Sequence, residues 1–169
     1  MRRSRVARLL WCGIGVAAGM AVAFSIASTT SPVFLASLGG SAVFLFGLTR
    51  AAAAQPRALF GGHLGGALVG IAGYQLLGDA LWVYAAVEIF ALWLMLVTRT
   101  AHPPAGANPI IMVHGHAGWT ALWQPVGFSV LGLALVAVAW SRLFPGLAAY
   151  PTRWLDPSPP TTFWGGWDE

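Results

Sequence analysis

Lysine is missing from this chain and acid is scarce: Asp79, Glu88, Asp156, Asp168 and Glu169 are the five carboxylates, against nine arginines. Charged residues make up 8% of the 169 residues, where a soluble domain carries about a quarter. A water-facing surface cannot be assembled from so few. Cysteine occurs once, at Cys12, which excludes an internal disulfide. It follows Leu-Leu-Trp, without the small residue that precedes a lipoprotein cysteine, and reads as a helix position. One thiol and few acids leave little from which to close a metal site. No Walker A loop, nucleophile elbow or zinc-protease motif occurs. The expectation is a protein without cofactor, and not an enzyme.

What the chain has is apolar length, 57% of it hydrophobic with a mean hydropathy of +0.71. A helix needs about twenty apolar residues to span a bilayer. Runs at 6–27, 58–77 and 122–144 meet this, and 81–98 does so if Glu88 is tolerated. Stretches 32–48 and 103–118 are short or interrupted, so they either cross or re-enter. Arginine placement favours crossing. If both cross, Arg2, Arg3, Arg5, Arg8, Arg50, Arg57, Arg99, Arg142 and Arg153 all fall on one side, the cytoplasmic one. The reading is an all-α integral membrane protein with six crossing segments, most simply in a bacterial inner membrane, both termini cytoplasmic. The basic charge then meets anionic lipid rather than nucleic acid. The N-terminal run is longer than a usual signal h-region and reads as a retained helix. Residues 1–144 form the membrane domain; 145–169 read as an irregular Pro- and Trp-rich tail, lying at the interface through Trp154, Trp164 and Trp167.

The two halves show a faint internal likeness. Leu-Gly-Gly-Ser-Ala-Val-Phe-Leu-Phe from Leu38 lies over Ala-Gly-Ala-Asn-Pro-Ile-Ile-Met-Val from Ala105, so Ser41 aligns with Asn108. Gln55-Pro56 and Gln124-Pro125 each open a long apolar segment. With three crossings per half, the repeats, about 6–78 and 81–144, are inverted. Interrupted segments at matching positions of inverted halves point to a transporter site. Gly39 and Gly40 permit unwinding before Ser41 and Ala42, and Gly106 and Ala107 before Asn108 and Pro109. Ser41 and Asn108 are good N-caps, and Pro109 suits a first helical turn. Two half-helices thus begin near mid-membrane, with backbone N–H groups at Ser41–Val43 and Asn108–Ile111 offered to an anion; Ile110 lies in the second of these. The alternative is that the glycines only let helices pack closely.

These stretches resemble the HPP family of small membrane proteins. The resemblance rests on Gly-Gly-Ser-Ala-Val-Phe-Leu-Phe from Gly39, Ala-Gln-Pro-Arg-Ala-Leu-Phe-Gly-Gly-His from Ala54, and Thr-Arg-Thr-Ala-His-Pro-Pro-Ala-Gly-Ala from Thr98. It implies an integral membrane fold and, through members associated with nitrite transport, a path for a small inorganic anion. It also marks Gln55, Arg57, His102, Pro103 and Pro104 as motif or gating positions. Asn108-Pro109 departs from the family's common threonine followed by a small or apolar residue.

Single residues have two readings each. His63, inside a helix after Gly61-Gly62, either faces a path as donor or proton shuttle, or bonds a neighbouring helix. His102, at the cytoplasmic entrance of the second broken segment, either orients the Pro103–Gly106 turn or attracts anions, or is an interfacial loop residue. Glu88 is a candidate for proton coupling, or is paired away from the path. Arg50 and Arg57 set topology or recruit anions. His114 and His116, two apart, would not share a helix face and read as surface residues. The leading hypothesis is a small-anion transporter or channel. The competitors are a metal-dependent membrane enzyme using His102, His114, His116 and Glu88, and a structural subunit packing through its glycines. The ridge Gly61, Gly62, Gly65, Gly66, Gly70 and Gly73 fits packing within or between protomers, so a homo-oligomer is open.

Overall fold

The structure is a computed structural model that describes residues 5–27, 32–144 and 146–159. Arg2, Arg3, Trp164 and Trp167 lie outside the described residues. Among the described residues six α-helices follow one another: α1 (Arg5–Ala27), α2 (Pro32–Gly47), α3 (Pro56–Leu77), α4 (Leu81–Thr98), α5 (Asn108–His114) and α6 (Phe128–Leu143). Among the described residues there is no strand beyond an isolated bridge between Thr100 and Ser158.

Proline and backbone sign set the helix boundaries. Pro56 opens α3 after an extended Gln55, a position where the missing N–H costs nothing. α4 stops at Arg99, which turns left-handed (φ 56°). The chain then runs extended to His102 and tightens into a 3-10 turn over Pro103–Ala107 that feeds α5. That turn and α5 together reach about 20 Å at ~2.0 and ~1.5 Å per residue, short of a ~30 Å hydrocarbon core.

Three helical stretches, Arg5–Ala27, Leu81–Thr98 and Trp119–Leu143, are long and apolar enough to cross a membrane. The 22-residue α3 is not one of them. Six glycines, His63 and Gln75 dilute its apolar character, and it is walled by protein rather than lipid. It packs on α4, on α5 and on the Pro103–Ala107 turn, while α1 packs on α6 and α2. Outward faces carry Leu81, Trp82, Phe90, Trp93, Leu131 and Leu135, a lipid-compatible coat. The chain is an integral membrane protein.

Lipid tails are as apolar as leucine, so close approach and buried polar bonds decide helix association in a membrane. The α3 glycines supply the approach within one chain. At Gly62 an added Cβ would meet His102 Cβ at 2.8 Å, and at Gly66 it would meet the Ala105 carbonyl oxygen at 2.9 Å. Gly15 and Gly19 on α1 similarly admit Trp140 and Leu133 of α6 together with Phe46 of α2.

Two sequence expectations fail here. α2 runs unbroken through Gly39 and Gly40. Gly40 is an approach site instead, where a Cβ would stand 2.9 Å from Pro104 Cβ. Asn108 makes no capping bond, and its backbone N–H is already paired with Ala105 O. Neither place offers a free helix amino end.

Arg57, Arg99 and Arg142 gather at one end with the C-terminal tail. Arg57 donates to Thr98 O and Leu155 O, Arg99 to Pro159 O, and Arg142 to Tyr150 O. The described part of the tail, 146–159, is irregular and is also fastened to the bundle: Tyr150 is buried in the core, and Ser158 pairs with Arg99 and Ala101.

At the opposite end, the exposed Asp79 accepts from Tyr84 Oη (2.8 Å) and His116 Nε2 (2.8 Å). Those bonds, His116 first, hold its carboxyl below the ordinary carboxylate range. A depressed folded value stabilises the fold above the unfolded value, near ~3.9, and that contribution is lost as pH falls through the folded value. Asp79→Asn is therefore expected to lower thermal stability in detergent slightly at pH 7. The gap to wild type should close below about pH 4; a gap that persists there contradicts the assignment.

Candidate functional site

Four buried polar side chains meet where α2, α3, the 3-10 turn and α5 converge: Ser41, His63, His102 and Asn108. Ser41 Oγ lies 2.7 Å from His63 Nε2 and 2.9 Å from His102 Nε2. It also reaches its own helix at Ser37 O, at 2.9 Å. Asn108 Nδ2 donates to His63 Nδ1 (3.0 Å) and to His63 O (3.0 Å). His102 Nδ1 donates to Ala53 O at 2.6 Å, and Phe44 stands edge-on to its ring.

Local structure explains each placement. The extended stretch before Pro103 turns His102 inward, and the absent side chain at Gly62 makes room for its Cβ. Gly66 does the same for Asn108, whose Cβ a methyl there would meet at 3.4 Å. Asn108 is thus drawn against α3, and its amide bonds His63 rather than its own helix.

Of the residues expected at the site, Ser41, His63 and Asn108 come together, and His102, taken for an entrance or interface residue, joins them fully buried. The side chains of Val43 and Ile110 face outward, 55% and 41% exposed, and the Val43 backbone N–H lies inside the unbroken α2. Each lies two residues, about 200° of helix, from Ser41 or Asn108. Gly39 faces Met20 of α1, and Ala42 is core. Gln55 is a tie: its Nε2 donates to Thr49 O and Ala51 O, while its Oε1 accepts from the N–H groups of Thr152 and Arg153. Glu88 Oε1 is buried with no hydrogen-bond partner among the described residues, and it does not join the cluster. His116 and Asp79 pair at the far end of α3 from His102, so His102, His116 and Glu88 do not assemble. Among the described residues no group of three or more His, Cys, Asp or Glu side chains is placed to hold a metal ion.

One cavity touches the cluster and a larger cleft lies apart from it. The first, about 10 Å³, touches it on the side of Pro125 and Val126, lined by Ser37, His63, Asn108 and Met112. It has room for about one water molecule. A cleft of about 520 Å³ at the arginine end runs past Arg8, Trp11, Arg50 and Trp140, and no residue of the cluster lines it.

The chain matches the family described as "HPP, transmembrane region" over residues 1–151. It belongs to the HPP transmembrane family. Two transmembrane proteins of Dictyostelium discoideum are each 32% identical to this HPP chain. The similarity runs over 130 residues of one and 132 of the other, 72% and 71% of the chain. It covers 45% and 41% of those proteins, so the HPP chain spans less than half the length of the curated relatives it matches. No solved structure matches the HPP chain. His102, Pro103 and Pro104 are the His-Pro-Pro for which the family is named, and here they position a buried imidazole and a proline against Gly40.

Proposed function

We propose that this protein is a small-anion transporter whose path passes the Ser41, His63, His102 and Asn108 cluster. One observation carries the reading: a buried, acid-free polar cluster sits inside an apolar bundle, joined by elements from both halves of the chain. Polar groups in such a place are costly and mark functional paths. Imidazole, hydroxyl and amide donors with no carboxylate among them favour a negative ligand. Asp79 and Asp156 are engaged elsewhere, by His116 and Arg153. The ligand is held by these side chains and not by helix ends.

The packing supports the inverted-repeat reading. α1 on α6 has its counterpart in α4 on α3, α1 on α2 in α4 on α5, and α2 on α6 in α5 on α3. Ser41 and Asn108, at matching positions, hold His63 from its two ring nitrogens. By the positive-inside rule the arginine end faces the cytoplasm.

Nitrite, the anion implied by the family resemblance, is the first to test, with nitrate and chloride beside it. Purified protein in liposomes is expected to take up at least one of them faster than protein-free vesicles. Absence of uptake for all three, under either direction of pH gradient, removes the reading.

A further inference from the structure

We propose that the Ser41–His63–His102 cluster takes up one proton together with the anion, so that the protein is a proton–anion symporter. This rests on the anion-transport reading above.

The hydrogen positions follow from the fixed partners. Ala53 O can only accept, so His102 Nδ1 carries a hydrogen and, in the neutral ring, His102 Nε2 is a bare acceptor. His63 O can only accept, which fixes the Asn108 amide nitrogen beside it. That same nitrogen donates to His63 Nδ1, so His63 Nε2 carries the hydrogen and points it at Ser41 Oγ. Ser41 then has one hydrogen and two acceptors within 2.9 Å, His102 Nε2 and Ser37 O. Neutral, one of those two contacts lacks a hydrogen, although Ser37 O already accepts the Ser41 backbone N–H within α2.

A proton on His102 Nε2 supplies it. The imidazolium N–H donates to Ser41 Oγ, which still accepts from His63 and rotates its own hydrogen to Ser37 O. Every contact then has one donor and one acceptor, and no heavy atom moves. The proton comes from one aqueous phase and is returned to the other, with no net change in the protein.

Charge makes the two loadings depend on each other. The groups facing the protonated ring are Ser41 and Phe44 of α2, His63 of α3 and the Ala53 carbonyl; Ser37 and Asn108 stand one bond further out, on Ser41 and His63. None is a carboxylate, and Arg57 turns its guanidinium away to Thr98 O and Leu155 O. A buried cation without a partner is strongly disfavoured, and so is a buried anion. Loaded together, each is the other's counter-ion. The cavity beside His63 and Asn108 is where the anion would sit, once Met112, a flexible wall, gives way.

The test uses full-length protein in liposomes with a trapped pH dye and a potassium-clamped membrane potential. An inward nitrite gradient is expected to acidify the lumen, one proton per anion, at a rate independent of the clamped potential. Nitrite uptake that varies with potential and leaves lumen pH unchanged overturns proton coupling while leaving anion transport standing. No uptake beyond protein-free vesicles removes the transport reading itself. Ser41→Ala, losing the shared hydroxyl, should slow coupled uptake by about tenfold or more and make the remainder potential-dependent. Asn108→Asp, checked for folding by size exclusion, places a carboxyl group against His63 Nδ1, where its charge is favoured only with a proton on that ring. It should load the proton without the anion and suppress nitrite uptake; undiminished electroneutral uptake in both variants overturns the proposal.

Discussion

Gly70→Ala is expected to lower the unfolding temperature in detergent by roughly 10 °C, for a loss of about 3 kcal/mol. The new Cβ would stand 2.6 Å from Pro109 O, 2.7 Å from Pro109 Cα and 2.8 Å from Met112 Cβ. Two of these atoms are backbone, so no rotamer change relieves the clash. α5 must move off α3 instead, which draws Asn108 away from His63 and opens the wall behind Met112. Gly106→Ala is the matched control. It lies in the named motif region, yet a Cβ there meets nothing within 4 Å, so its stability should stay near wild type. Tryptophan fluorescence during heating reads both. Equal effects from the two substitutions would contradict the packing described for α3 and α5.

His63→Leu is expected to reduce anion uptake by about a hundredfold, with the larger part of stability retained. The arithmetic follows from the contacts: the imidazole bonds Ser41 at one nitrogen and Asn108 at the other. Hydrogen bonds of this kind contribute about 1–1.5 kcal/mol each, and two of them amount to about a hundredfold. The fold is less exposed to the change. Ser41 keeps Ser37 O, and Asn108 keeps the backbone carbonyl of residue 63. Initial rates in liposomes, normalised to protein recovered folded, decide it. Uptake within twofold of wild type would place the path elsewhere in the bundle.

The sequence made the membrane class, the helix order and the disruption after Arg99 legible, because apolar length and proline act locally. Ser41 and Asn108, both expected as helix caps, instead bond the ring of His63. Paired glycines carry two meanings, unwinding and close approach, and only the neighbour tells them apart. At Gly40 that neighbour is Pro104, sixty-four positions later, and the helix stays intact. Asn108 was a good cap by local rules, but His63 offered it a ring nitrogen and a carbonyl. The burial of His102 had no local signal at all, since it depends on the missing side chain at Gly62. Val43 was expected to offer its backbone N–H, which an unbroken α2 takes up instead.

The hold on His102 has a mechanical consequence. Its ring is anchored to Ala53 O, in a turn whose Ala51 carbonyl is gripped by Gln55, and Gln55 in turn holds the tail at Thr152 and Arg153. One residue before His102, Ala101 is bound to Ser158 of the same tail. The imidazole is therefore rigged between two stays that run to one segment. The ring nitrogen facing Ser41 is thereby tied to the tail from two directions, through Gln55 and through Ala101.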